Sequence, residues 1–133
     1  MKRSLVELVR KRAGYRCEYC RLHQSQDRFH RFHIEHIVAR KHRGIDDPAN
    51  LALACHQCNL HKGSNLSGID PDTNRLVRLF NPRGDSWHEH FSIRGFHIAG
   101  LTPIGRTTAW VLQINSEDRI ELRRVLRELD ELE

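Results

Sequence analysis

A chain of 133 residues, 38% hydrophobic and 29% charged, suits one domain, 1–133, with a modest core that needs a staple. No stretch approaches the roughly 20 apolar residues of a membrane span, and the basic start MKRSLVELVRKRAGYRC meets Lys11 and Arg12 too soon for a secretory signal, so a cytoplasmic protein with no membrane partner is expected. Lysine and arginine outnumber acids by 22 to 17, a net charge of +5, which favours phosphate polymers through counterion release and equally fits a solvated surface.

The first predicted element is an amphipathic helix, SLVELVRKRAG, with Ser4 as its candidate cap and Leu5, Leu8 and Val9 along one side before Gly14. Tyr15 and Tyr19 flank the next feature, Cys17-x-x-Cys20, and are expected to cover the core rather than stack on bases. A second pair, Cys55-x-x-Cys58, follows after residues 21–54 and leaves no cysteine over. Two such tight turns present four thiolates, the ligand set of a tetrahedral structural zinc. Two disulfides are disfavoured by an intracellular setting, and a lone redox pair would not need the second turn. A tetrathiolate zinc would leave a formal charge of about +3.

Between the pairs, RFHRFHIEHIVAR reads as a strand through Phe32, Ile34 and Val38. Strand alternation puts His33, Glu35 and Ile37 on one face, with Ile34 and His36 on the other. KHRGIDDPAN is a loop by its Gly44 and Asp47-Pro48, LALA is a short second strand, and a helix begins after Cys58 and stops at Gly63. His56 sits inside the second knuckle, where spacing and solvent contact are its expected roles, and His61 falls on a different helix face from Asn59.

Further on come a turn at Pro71-Asp72, an extended RLVRLF, a turn at Asn81-Pro82 and a strand in SIRGFHIAG. Thr102 can cap a helix whose first residue is Pro103, with Ile104, Thr108, Val111 and Leu112 at helical spacing. A last helix runs from near Ser116 to the end, its apolar stripe made by Leu122, Val125, Leu126, Leu129 and Leu132.

Cys17 and Cys20, Glu35-His36, Gly44, Asn50-Leu51, Cys55 and Cys58, Asn59 and Lys62 together resemble the zinc-stapled HNH endonucleases over about residues 15–66. That resemblance implies an α+β fold. Its centre is a ββα-metal (His-Me finger) core stapled by a zinc site of four cysteines, with an N-terminal helix and a C-terminal strand and helical extension over about 67–133 packed on it. It implies metal-dependent hydrolysis of DNA phosphodiester bonds to 5′-phosphate and 3′-hydroxyl ends. His36 would be the general base, its ring oriented by a second group such as a backbone carbonyl, and Asn50 would hold the loop or the imidazole. Glu35 and Asn59 would hold a catalytic Mg2+ or Mn2+, with glutamate standing where the family more often carries aspartate or histidine. Arg40, Lys41, Arg43 and Lys62 would meet DNA phosphates, and His33 is either a further ligand or substrate contact or an ordinary half-buried histidine.

The extension resembles the order seen in a branch of small bacterial HNH proteins, through Asn81 to Arg83, Trp87 to Phe91 and Thr102 to Arg106. Arg83, His90 and Arg106 are candidates there for extra catalytic or clamping groups. The alternative makes Trp87 and Phe91 core anchors, with His90 bonded internally. The competing function is a non-catalytic zinc-containing nucleic-acid-binding module with a degenerate nuclease site. The set Glu35, His36, Asn50 and Asn59 speaks for the enzyme, since a binder needs none of it.

Overall fold

The computed structural model describes residues 1–129. Helix α1 (Arg3–Arg12) has no side-chain cap, and Ser4 lies inside its first turn rather than before it. Its last turn carries Arg10, Lys11 and Arg12, which suits the negative end of the helix dipole. Two of these also tie the helix down. Arg10 donates to the carbonyl of Phe32 at 2.9 Å, and Arg12 to those of Pro48 and Leu51 at 2.9 and 2.7 Å.

Strands β1 (His33–His36) and β2 (Leu51–Ala54) pair antiparallel, with His33 opposite Ala54 and His36 opposite Leu51. All of β2 is buried, as a short apolar run with no polar face requires. Helix α2 (His56–Lys62) follows at once. It starts earlier than its expected place after Cys58, because Cys55 caps it: the sulfur accepts from the backbone N–H of Cys58. The succession β1, loop, β2, α2 gives a ββα unit within a mixed α and β chain.

Among the described residues, two further hairpins and three helices make up the second half. β3 (Ser67–Ile69) pairs with β4 (Leu76–Arg78), so the extended RLVRLF contributes only its middle to a strand. A single helical turn, α3 (Trp87–His90), leads into β5 (Phe91–Arg94) and β6 (His97–Gly100). The expected single strand over SIRGFHIAG is thus a hairpin, reversed at Gly95, whose φ of 63° is easy for glycine and strained for other residues. Helix α4 (Pro103–Val111) begins where predicted, the Thr102 hydroxyl accepting from the N–H of Gly105. Helix α5 (Glu117–Glu128) is capped by Ser116. Its stripe differs from the expected one. Leu122 and Leu126 pack inward, whereas Val125 and Leu129 are exposed; Arg123 is buried, donating to the carbonyls of Phe96 and Ile114. Leu132 lies outside the described residues.

One cluster of buried side chains runs through both halves, from Tyr19 and Leu53 to Phe80, Trp87, Phe91 and Leu126. Burying side chains of this size contributes roughly 1.5–3 kcal/mol each. Trp87 is the link: its ring lies 5.1 Å from that of Phe91, and its Nε1 donates to the carbonyl of Tyr19 at 2.8 Å. Tyr19, Trp87 and Phe91 are buried as expected, whereas Tyr15, expected to cover the core beside Tyr19, is exposed. No described helix is long and apolar enough to cross a membrane.

Candidate active site

The four cysteines converge. Their Sγ atoms all lie within 4.8 Å of one another, every residue is buried, and none is in a disulfide. A zinc with Zn–S bonds near 2.3 Å has sulfurs about 3.8 Å apart, and the Cys20 and Cys55 sulfurs stand 3.7 Å apart. Backbone N–H groups of Cys20 and Cys58 point at the sulfurs of Cys17 and Cys55, and Arg119 of α5 donates to Cys55 Sγ at 3.6 Å. Burial pushes the Cys17 thiol well up, hydrogen bonds with the other thiols push Cys58 up and Cys20 down, and a dication is what lets all four ionise together. The cluster fits a zinc site.

The loop from β1 to β2 is shaped by Asn50. Its Oδ1 accepts from Val38 N–H at 2.9 Å, and its Nδ2 donates to the carbonyls of Val38 and Ile45, both at 3.0 Å. Gly44 closes the same loop on itself: a Cβ there would stand 1.6 Å from the Val38 carbonyl oxygen. The result brings Asp46 against His36, whose Nε2 lies 2.7 Å from Asp46 Oδ1. Arg40 holds the carboxylate from the other side, at 2.9 and 3.0 Å. The hydrogen bond from His36, and then the Arg40 charge, keep the Asp46 carboxyl below the usual carboxylate range. An ionised carboxylate can only accept, so Nε2 carries the proton and, in the neutral ring, Nδ1 presents a lone pair.

Sequence reasoning missed Asp46 and expected a backbone carbonyl in its place. The available signal was the pair Asp46-Asp47: Asp47 is spent capping Ala49 N–H, leaving Asp46 for the imidazole.

Glu35 is placed elsewhere. Its residue is 4% exposed, its Oε2 accepts from the Tyr19 hydroxyl at 2.6 Å, and its Oε1 lies 2.5 Å from Lys62 Nζ. That last contact is ionic rather than a well-aligned hydrogen bond, since Nζ donates to the carbonyls of Ile37 at 3.0 Å and His36 at 3.4 Å. Burial raises the Glu35 carboxyl, with Lys62 opposing. Two expectations are corrected here. Glu35 is enclosed and paired instead of open to a catalytic ion, and Lys62 is buried against it instead of facing a phosphate. Asn59 is half-buried, and its side-chain amide has no hydrogen-bond partner among the described residues.

Arg40, Lys41 and Arg43 are exposed on the loop; Arg40 is engaged by Asp46, while Lys41 and Arg43 have no ion-pair partner among the described residues. Arg83 is bound internally to Glu18, and Arg106 to Asp70 and Asp72. His90 is buried, its Nδ1 2.6 Å from the Thr102 hydroxyl and its ring against Phe80. His90 is thus bonded internally, and both arginines are paired with acids. His33 and His56, by contrast, meet each other, and His30 stacks on His56; burial and the neighbouring histidines lower the His33 pKa.

Residues 17–65 match the family described as HNH endonuclease. Over 128 residues, 95% of its length, the chain is 27% identical to the Septu protein PtuB of Bacillus thuringiensis, of which it spans 45%. No solved structure matches it significantly.

Proposed function

We propose that this protein is an endonuclease that hydrolyses DNA phosphodiester bonds, with His36 as the general base. The observation that carries this is the His36–Asp46 contact, which leaves Nδ1 free to take a proton. It lies in a ββα unit within the stretch that matches HNH endonucleases, on a chain of net charge +5. Nδ1 removes a proton from a water, whose oxygen attacks phosphorus. The bond from phosphorus to the 3′ oxygen breaks, the 3′ oxygen takes a proton from solvent, and the phosphate stays on the 5′ end. Asp46 holds the ring and balances the imidazolium that forms. Lys41 and Arg43 meet neighbouring phosphates.

HNH nucleases use a divalent metal, which supplies charge stabilisation at the phosphoryl oxygens when bound. The pair Glu35 and Asn59 does not fit that ion, since Glu35 is committed to Lys62 and Tyr19. The same observation favours a second reading, a zinc-containing nucleic-acid-binding module without cleavage. Incubating supercoiled plasmid with the protein and, separately, Mg2+, Mn2+, Ni2+ or Zn2+ decides between them. Nicking that His36→Ala abolishes supports the enzyme; salt-sensitive binding with no nicking under any ion supports the binder.

A further inference from the structure

At the end of β1 away from His36, His33 Nε2 lies 3.3 Å from His56 Nδ1, with the rings tilted at 33°. That distance admits a hydrogen bond, one ring donating and the other accepting. Two nitrogens bound to one ion at about 2.0–2.1 Å, however, stand about 3.3 Å apart at the tetrahedral angle. We propose that His33 and His56 form a two-imidazole seat for a divalent first-row transition ion, separate from the cysteine cluster, with water completing its coordination.

The seat is built on fixed parts. His33 pairs in register with Ala54, which directly precedes Cys55, the cap of the helix whose first residue is His56. Both rings are therefore mounted on elements that the hairpin and the cysteine cluster hold, and such preorganisation is what a ligand pair needs. His30 lies flat on His56, with ring centroids 4.2 Å apart and planes within 6°, and so restricts that ring. Its own loop is pinned by Asp27, which accepts from the N–H groups of Phe29 and His30 at 3.0 Å each, and by Gln24, bonded to the carbonyl of His30 and the N–H of Phe32.

Imidazole donors without a carboxylate select Zn2+, Ni2+ or Cu2+ over Mg2+. His36 lies three steps along the strand from His33, roughly 10 Å of rise, and it is turned to Asp46. The seat thus does not share the proposed catalytic ring.

The test starts from full-length protein carrying about one zinc per chain in the thiolates. Calorimetric titration with Ni2+ should show one further ion per chain, and Cu2+ should give an electron paramagnetic resonance spectrum with two nitrogen donors. His33→Ala should weaken Ni2+ binding by at least the 10- to 100-fold typical of losing even an outer partner, with zinc content unchanged. His88→Ala and His97→Ala, at exposed histidines outside the cluster, should leave Ni2+ binding as it was. His56 adjoins Cys55, so His33→Ala carries the test if His56→Ala loses its zinc. Zinc-replete wild type that takes up no second ion, or His33→Ala that binds Ni2+ equally well, overturns the proposal. Cleavage is not read, so failure of the nuclease reading leaves the result interpretable.

Discussion

The carboxylate of Asp46 reaches back across the loop to within 2.7 Å of His36 Nε2, and that contact decides which ring nitrogen is free. If the free nitrogen is the base, His36→Ala should lower plasmid cleavage by roughly 10²- to 10⁴-fold. Zinc content, folding and salt-dependent DNA binding should stay near wild type, because His36 lies outside the buried core cluster. A variant that cuts as fast as wild type places the base elsewhere.

Asp46→Asn tests the orientation. An amide can donate to the ring as well as accept from it, so the tautomer with a free Nδ1 lone pair is no longer enforced and the maximal cleavage rate should drop. A maximal rate equal to that of wild type would show that Asp46 does not act on His36.

Glu35 and Lys62 are each 3% exposed at the side chain. Removing one partner of a buried pair strands the other's charge and costs about 3–5 kcal/mol, so Glu35→Gln and Lys62→Met should each lower stability in urea by that order. The double variant should be less destabilised than the sum. Additive losses would show that the two charges do not interact.

The staple makes a prediction about the far end of the chain. Arg119 of α5 bonds both Cys55 Sγ and Gln57 Oε1, the latter at 2.9 Å. Chelating the zinc, or Cys17→Ser, should therefore loosen α5 together with the two knuckles. Hydrogen exchange resolved by residue would show it, and protection of α5 that survives zinc removal would count against the coupling.

Acid should unfold the protein through Asp70. Arg106 donates to it from Nε and Nη2, at 3.2 and 2.9 Å, and Thr73 from its hydroxyl at 3.0 Å. The hydrogen bond from Arg106 holds its carboxyl at about 2, against about 3.9 in an unfolded chain. A depressed folded value stabilises above the unfolded one, so this contribution is full above about pH 4 and is lost as pH falls towards 2. Urea midpoints should fall across that window, and more gently in Asp70→Asn. Equal slopes would remove Asp70 from the acid transition.

The cysteine cluster and the hairpin were legible because both rest on short-range spacing, and Thr102-Pro103 marked its helix for the same reason. The alternation along β1 also held a truth about Glu35. It set Glu35 and His36 on opposite faces, and the structure gives them unrelated partners, Lys62 with Tyr19 for one and Asp46 for the other. Resemblance to the family put Glu35 with Asn59 on a metal ion and gave His36 the role of base. What could not be read depends on distant chain. Arg123 is buried on α5 only because carbonyls of Phe96 and Ile114 wait for it, and a one-turn helix such as α3 stands only through the packing of Trp87 and His90. Asp46 finds His36 because Asn50 bends the loop between them, which no local pattern announces.

Gly44 gives that bend its permanence. Where a methyl group would sit, the Val38 carbonyl already occupies the space, so the hairpin's connecting segment is tailored to the absence of a side chain. Lys41 nearby faces solvent, and other side chains fit there. Position 44 has no such latitude. Any side chain at position 44 would have to push the Val38 carbonyl aside and so redirect the segment that carries Asp46.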